Sequence, residues 1–219
     1  MLDAGFYNMD CMDALKQFPD GFFELAIVDP PYGDANSKYA NGSRFGGRFA
    51  RYALTRTGGT WASKYGRRIA DWDIAPGEDY FNELFRVSKN QIVWGGNYFQ
   101  LPPTRCFVVW RKLSISENFT MAMAEYAWTS FPGNAKVFEC TPQGTKADPR
   151  FHPTQKPVKL YEWLLDRYAK PGDKILDTHV GSASSLVACK RKGFDYWGFE
   201  IDPEYYDKAK ERLEEHHNN

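Results

Sequence analysis

The chain has 219 residues, of which 42% are hydrophobic and 26% are charged. These values fit one globular domain with its own core and exclude a disordered chain. Because 28 basic and 28 acidic side chains cancel, any surface for an anionic partner must come from charge segregation along the chain. The sequence has no signal-peptide pattern at its beginning and no apolar run of membrane-spanning length, so we expect no membrane partner.

The four cysteines, Cys11, Cys106, Cys140 and Cys189, are scattered along the chain. They form no C-x-x-C pair and have no histidine at ligand spacing, which argues against a zinc site and against a disulfide framework. We therefore expect reduced thiols, a cytoplasmic location and no metal.

The first predicted elements are a short strand over Phe6 to Asp10 and an amphipathic helix over Met12 to Phe18. The turn residues from Pro19 to Gly21 end that helix. Asp10 stands where a helix N-cap is expected, and its side chain can accept a backbone hydrogen bond there.

A buried strand is predicted over Phe23 to Val28, and Asp29-Pro30-Pro31-Tyr32 follows it directly. Two consecutive prolines end the strand because they lack the N–H groups of the ladder. Ligands of open α/β sheets bind just beyond the carboxyl ends of strands. The Asp29 carboxylate and nearby carbonyls can accept hydrogen bonds from an amine, and the Tyr32 ring can stack on a flat base. The alternative is an ordinary Pro-Pro turn with Tyr32 as a packing residue.

A basic segment from Ala35 to Ala70 follows, and it contains no Asp or Glu. It is rich in glycine and aromatic residues, a composition that suits phosphate contacts and base stacking. The alternative is a flexible loop without a partner. We predict that it binds DNA through Arg44, Arg48, Arg51, Arg56, Lys64, Arg67 and Arg68.

In the middle of the chain, the residue pattern predicts a helix and three strands that extend the sheet. The turn Gly95-Gly96-Asn97 follows the first of these strands, and Asn134 to Arg150 is predicted to be a polar surface loop. The predicted ranges are Tyr80 to Val87 for the helix and Gln91 to Trp94, Cys106 to Trp110 and Tyr126 to Ser130 for the strands.

The last third predicts a helix–strand–helix–strand–helix series. A helix starts within Thr154 to Pro157 and ends at Lys170, and a strand covers Lys174 to Asp177. A small-residue turn over Val180 to Ser184 opens the next helix. A strand over Tyr196 to Ile201 and a final helix from Asp202, with Tyr206, Ala209 and Leu213 inward, complete the series.

This β-turn-α-β unit has the features of an adenosine-binding site. Asp177 ends its first strand, Gly181 permits close backbone approach, and Glu200 ends its second strand where an acid can bind ribose hydroxyls. A dinucleotide site would need a fuller glycine pattern for its phosphates, so the single glycine favours a smaller cofactor without phosphate. A β-α-β unit without a ligand is the alternative.

Taken in order, these motifs resemble those of the β group of amino-methyltransferases, which methylate the exocyclic nitrogen of adenine or cytosine in DNA with S-adenosylmethionine. The resemblance covers nearly the whole chain. It rests on Asp29 to Tyr32, the strand and turn from Gln91 to Asn97, the hexad His152 to Pro157, and the unit from Asp177 to Glu200.

The resemblance implies an α/β Rossmann-like methyltransferase fold with circularly permuted motifs, a mostly parallel sheet and helices on both faces. It implies one catalytic domain over residues 1–219, with an insert at about 33–75 and no separate large target-recognition domain. Asp29, Pro30 and Tyr32 would be catalytic. The cofactor would be bound by Asp10, Cys11, Asp29, His152, Thr154, Lys156, Asp177, His179, Gly181, Ser182, Glu200 and Ile201.

Three residues depart from the usual cofactor loop of the family, which reads Asp-Pro-Phe-x-Gly-Ser-Gly. Thr178 replaces the proline, His179 replaces the aromatic residue, and Ala183 replaces the second glycine. We expect these changes to weaken cofactor binding or activity. The loop Asn134 to Arg150 is too short for a folded recognition region, so recognition is relaxed, uses the basic insert, or needs a second subunit in a homodimer.

The resemblance predicts transfer of a methyl group to a flipped base, with adenine preferred because cytosine-specific members usually have Ser in place of the motif's Asp. An N4-cytosine enzyme and a catalytically inactive DNA-binding relative remain open, as does RNA as a substrate. Protein glutamine methylation is disfavoured by the motif order and by the basic insert.

Overall fold

The computed structural model describes residues 1–33, 74–117, 122–142 and 149–215. The strands are β1 (Gly5–Asn8), β2 (Phe23–Val28), β3 (Ser88–Trp94), β4 (Phe107–Lys112), β5 (Ala124–Thr129), β6 (Lys136–Cys140), β7 (Lys174–Asp177) and β8 (Asp195–Glu200). Within the described ranges, these eight strands form one sheet in the order β1-β8-β7-β2-β3-β5-β4-β6.

Five α-helices accompany the sheet in the described part of the chain. They are α1 (Cys11–Leu15), α2 (Glu78–Val87), α3 (Val158–Tyr168), α4 (Ser184–Lys192) and α5 (Pro203–Glu215). A 3₁₀ turn, Gly96–Tyr98, follows β3.

Helices cover both faces of the sheet because side chains alternate along its strands. On β2, Leu25 and Ile27 join a core built with α3, α4 and α5. Ala26 and Val28 join the opposite core, which is built with α1 and α2. Burial on both faces explains why this strand reads as an apolar run that only Glu24 interrupts.

The strand directions bring several strand ends to one edge of the sheet. β1, β8, β7, β2 and β3 pair in parallel, whereas β5 is antiparallel to both β3 and β4. β6 pairs in parallel with β4. The carboxyl ends of the parallel strands therefore lie together at the edge where ligands of such sheets bind. The predicted mostly parallel α/β fold is confirmed.

The prediction of a surface loop from Asn134 to Arg150 was wrong in part, because β6 lies within this range. Its Phe138 ring packs against the Trp163 ring of α3, with centroids 5.2 Å apart. The apolar residues in this stretch were the missed signal. Val137 and Phe138 lie in a short edge strand that also contains the charged residues Lys136 and Glu139.

Other predicted bounds differ from the observed ones by a few residues. β3 begins at Ser88 rather than Gln91, and α3 begins at Val158 because Pro157 is its N-cap. In α5, Tyr205 is buried, whereas the predicted inward residue Tyr206 is half-buried against Phe6. Asp10 caps α1 as predicted, accepting a hydrogen bond from the Met12 N–H at 2.7 Å.

The basic insert, including all seven predicted DNA-binding residues, lies outside the described residues. In the described part of the chain, the helices lack either the length or the apolar character needed to cross a membrane.

Candidate functional site

A crevice opens at the carboxyl ends of β2, β7 and β8. β2 and β7 are adjacent, with Leu25 opposite Ile175 and Ala26 opposite Leu176. The segment that follows β2 and the turn that follows β7 therefore face each other. Both line the crevice, to which they contribute Asp29, Pro30, Pro31, Tyr32, His179, Val180, Gly181, Ser182 and Ser184.

Asp29 is held from two sides. The Tyr32 hydroxyl donates a hydrogen bond to Oδ1 at 2.7 Å, and the Lys156 ammonium group forms an ion pair with Oδ2. The Lys156 side chain is only 2% exposed, so this ion pair is shielded from water and from salt. The carboxylate is thereby oriented before any ligand arrives.

The Tyr32 ring is positioned by the turn after β3. Gly95 has a φ of +66°, and a Cβ placed on it would lie 2.2 Å from Tyr32 Cε1. Only glycine leaves room for the ring at this backbone position. The Tyr98 ring stacks on Tyr32 with centroids 4.7 Å apart and an interplanar angle of 17°.

The hexad His152 to Pro157 forms another wall of the crevice. The His152 ring contacts Tyr205 with centroids 4.3 Å apart, and its Nδ1 accepts a hydrogen bond from the Thr154 N–H at 3.3 Å. Burial lowers the pKa of His152 to about 3, and the positive charges of Arg150 and Lys156 add to this effect. The imidazole is therefore neutral near pH 7.

Hydrogen bonds made by the buried side chains of Asp177 and Arg212 hold the loop between β7 and α4 in place. Asp177 accepts hydrogen bonds from the Ser185 hydroxyl and from the His179 N–H. Burial raises its pKa to about 7. The buried Arg212 guanidinium donates to the Ser182 carbonyl and to the Ser184 hydroxyl.

Glu200 stands at the end of β8 and faces the crevice. Its two carboxylate oxygens accept hydrogen bonds from the Gly181 N–H at 2.8 Å and from the Asp202 N–H at 2.9 Å. Burial raises its pKa above the ordinary value. Because a carboxylate has about four lone-pair directions, acceptor capacity remains for ligand hydroxyls.

The crevice brings together most of the predicted site residues. The catalytic prediction Asp29, Pro30 and Tyr32 and the cofactor prediction His152, Thr154, Lys156, His179, Gly181, Ser182, Glu200 and Ile201 all line it. Asp177 is 3% exposed and lies beneath the loop. Asp10 caps α1, and burial raises the pKa of the adjacent Cys11 to about 12, with the negative charge of Asp10 adding to this effect.

Several crevice residues were not singled out from the sequence. Tyr161 of α3, Tyr205 of α5 and Gln155 of the hexad line the crevice beside the predicted residues. The apolar faces of α3 and α5 carried the signal for the two tyrosines, but periodicity alone does not separate a core residue from a crevice residue.

The chemistry of these groups fits S-adenosylmethionine. Glu200 can accept hydrogen bonds from ribose hydroxyls, and the exposed Ile201 side chain beside it offers apolar surface to the adenine. The single close-packed glycine of the loop, Gly181, forms no extended phosphate cradle. Asp29 stands across the crevice, where an amine substrate would have to approach.

Comparison with known proteins also indicates a methyltransferase. A family model described as a DNA methylase, of the N6/N4 methyltransferase type, matches residues 93–211. YubD of Escherichia coli (strain K12), provisionally named a methylase, is 25% identical over 95% of this chain and 89% of its own length. The type II methyltransferase M.HpaI of Haemophilus parainfluenzae is 42% identical, but the match covers 31% of this chain and 21% of M.HpaI.

Two solved structures share the fold. The cytosine-N4-specific PvuII DNA methyltransferase has a TM-score of 0.59 and 15% identity, with 100% of this chain and 92% of that chain covered. The complex of M1.HpyAVI with S-adenosylmethionine has a TM-score of 0.53 and 20% identity, with 94% and 98% covered.

The fold and the crevice define an S-adenosylmethionine-dependent amino-methyltransferase, that is, an enzyme that methylates amino groups. Because the family model matches more than half of the chain, the chain belongs to the N6/N4 DNA methylase family.

Proposed function

We propose that the chain transfers a methyl group from S-adenosylmethionine to N6 of adenine in DNA. The observation that carries this proposal is the shared crevice, which Asp29 and Tyr32 line together with Gly181 and Glu200. Methyl transfer needs the reacting amine and the cofactor side by side, and positioning of this kind supplies a large part of the rate.

In this proposal the chain's residues orient the base rather than form a covalent intermediate. Asp29 and the Pro30 carbonyl accept hydrogen bonds from the exocyclic amine, which directs the nitrogen lone pair away from conjugation with the ring. The Tyr32 ring stacks on the flipped base. S-adenosylmethionine supplies an electrophilic methyl group on its sulfonium when it is bound.

Cofactor binding is assigned to the residues on the opposite side of the crevice. Glu200 accepts from the ribose, and the hexad and the loop after β7 surround the methionine part. Asp10, Cys11 and Asp177 are proposed to act less directly, since Asp10 caps α1 and Asp177 is buried beneath the loop. The neutral His152 adds no positive charge beside the sulfonium.

Adenine is proposed over cytosine because the motif begins with Asp29. Cytosine-specific members of the family usually have Ser at this place, and Ser offers a hydroxyl where Asp offers two acceptor oxygens. The fold itself is shared by the cytosine-N4 enzyme described above, so the fold does not discriminate between the two bases.

We propose that residues 1–219 form one catalytic domain and that the insert at about 33–75 binds the DNA backbone. The seven basic residues named in the sequence carry this proposal, because arginine and lysine neutralise phosphates and release counterions. DNA affinity should therefore fall as salt rises, with a slope that becomes shallower when Arg67 and Arg68 are changed to Gln.

The test is incubation of the protein with labelled S-adenosylmethionine and unmethylated DNA, followed by digestion to nucleosides. We expect N6-methyl-2′-deoxyadenosine as the labelled product. Labelled N4-methyl-2′-deoxycytidine would overturn the choice of base. The inactive relative is motivated by the altered cofactor loop, so absence of cofactor binding in calorimetry, together with absence of label transfer to DNA or RNA, would instead identify it.

Asp29→Ala tests the assignment of the catalytic carboxylate. We expect methyl transfer to be lost while the cofactor is still bound, because the hydrogen bonds of Asp29 serve the amine. Methylation by this variant at the wild-type rate would contradict the assignment. Asp13→Ala, at an exposed position in α1, is the control for loss of a carboxylate.

A further inference from the structure

Four charged side chains of alternating sign run from the crevice into the sheet. Lys156 contacts both Asp29 and Glu125, the latter at 3.3 Å. Glu125 also contacts Lys112 at 2.6 Å. Glu125 belongs to β5 and Lys112 to β4, so β5 reaches the Asp29 carboxylate through Lys156, and β4 reaches it through Glu125 and Lys156.

These charges are withdrawn from water. The Lys156 and Lys112 side chains are each 2% exposed, and those of Asp29 and Glu125 are 13% and 12% exposed. Each ammonium also lies over an indole ring, Lys156 at 5.2 Å from the Trp94 centroid and Lys112 at 5.0 Å from the Trp110 centroid. Burying such groups is costly, and apolar residues of similar size often replace them without loss of stability. A requirement other than stability is therefore the better explanation for this arrangement.

The antiparallel direction of β5 explains how Glu125 reaches Lys156. Its first residues lie at the edge where the neighbouring β3 ends, since Trp94 at the end of β3 pairs with Ala127. Glu125 lies two residues before Ala127 and on the same face. It can therefore contact Lys156 beyond the end of β3.

We propose that Glu125 is a positioning residue that sets the strength and direction of the ion pair between Lys156 and Asp29. Lys156 has two anionic partners, and the negative charge of Glu125 offsets part of the positive potential that Lys156 produces at Asp29. With Glu125 present, Asp29 remains oriented but keeps acceptor strength for a substrate amine. The catalytic part of this inference rests on the proposed function, whereas the coupling between the three groups does not.

Loss of the Glu125 charge should concentrate the attraction of Lys156 on Asp29. We expect Glu125→Gln to lower kcat roughly tenfold to a hundredfold, the range that misplacement of a reacting group produces. The KM for DNA and the cofactor affinity from calorimetry should stay close to wild type, because Glu125 acts on the transition state through Asp29. Glu125→Asp restores the charge and should recover part of kcat.

Glu139→Gln is the matched control. It removes the same charge from β6, next to β4, where Glu139 pairs with Arg111 at 2.8 Å in an ion pair with side chains 46% and 62% exposed. We expect no change in kcat. If Glu125→Gln and Glu139→Gln have the same kcat as wild type, Glu125 does not position Asp29.

A double-mutant cycle in urea unfolding tests the coupling without using activity. Asp29→Asn or Glu125→Gln alone leaves Lys156 one anionic partner, whereas the double variant leaves neither. We expect the double variant to lose more stability than the sum of the two single losses. Additive losses would overturn the inference. A non-additive cycle in a protein that transfers no methyl group would retain the coupling and reject the proposed function.

Discussion

The hydroxyl oxygens of Tyr80 and Thr178 lie 2.6 Å apart. Tyr80 belongs to α2, whereas Thr178 opens the loop after β7 that forms one wall of the crevice. The Thr178 hydroxyl also lies 2.9 Å from His179 Nδ1. Burial lowers the pKa of His179 to about 4, so its neutral ring can accept from Thr178, which can in turn accept from Tyr80. The loop thus gains a tether where a proline would stiffen the backbone.

Tyr80→Phe should lower the free energy of unfolding by about 1–2 kcal/mol, because it leaves buried Thr178 without one partner. Urea denaturation measures the change. Tyr7→Phe removes an exposed hydroxyl bound to the Asp3 carbonyl and should change stability far less. Equal effects of the two substitutions would show that the tether adds nothing.

Ala183 has a left-handed backbone, with φ 59°, and its side chain is fully buried. Ala183→Gly relieves about 1–2 kcal/mol of backbone strain. It also removes a buried methyl group that contributes about 0.8 kcal/mol, and it raises the conformational entropy of the unfolded chain, which lowers stability. We expect a net change within about 1 kcal/mol. Ala188→Gly, equally buried within α4, has no strain to relieve and should cost about 2 kcal/mol. Similar losses in thermal unfolding for both variants would contradict the strain at Ala183.

The pKa of Asp177 rises from 3.8 to about 7 in the folded state, mainly through burial. Between these values the unfolded chain is ionised at this group and the folded chain is protonated, so its contribution to stability falls as pH rises. Asp177→Asn lacks this titration. We expect the variant to gain stability relative to wild type by roughly 1 kcal/mol per pH unit between about pH 4 and pH 7.

The measurement for Asp177→Asn is urea unfolding of both proteins at several pH values. His152 and His179 also titrate differently on folding, but they are present in both proteins and cancel in the difference. A difference that stays constant from pH 4 to pH 7 would contradict the raised pKa of Asp177.

Gly95→Ala should displace the Tyr32 ring and reduce methyl transfer at least tenfold, because the added Cβ would lie 2.2 Å from the ring. Gly193→Ala is the control, since its φ of +73° is similar but no atom lies within 4 Å of its Cβ. Both variants should lose roughly 1 kcal/mol of stability from backbone strain. Only Gly95→Ala should lower kcat, as measured with labelled cofactor.

The sequence was most informative where local chemistry and strand position coincide. Asp29 and Glu200 each follow or end an apolar strand, and parallel strands necessarily bring such ends to one edge. The position of the crevice could therefore be predicted from the strand ends. The capping of α1 by Asp10 could be predicted from the residue type alone.

Contacts between distant elements could not be predicted in the same way. Glu125 reads as an ordinary polar residue of a strand, and its approach to Lys156 depends on β5 running antiparallel beside β3. The tether from Tyr80 to Thr178 joins residues 98 positions apart. No periodicity marks either contact, because both arise only when the sheet order is known.

The reversal of β5 also has a bearing on how the enzyme could diversify. β4 ends and β5 begins at the rim that carries the crevice, with Arg111 opposite Ala124. Residues added directly after β4 or directly before β5 would thus extend from the same sheet edge as the crevice, while the ladder hydrogen bonds of the sheet stay in register. A laboratory search for altered site preference could start by randomising that connection.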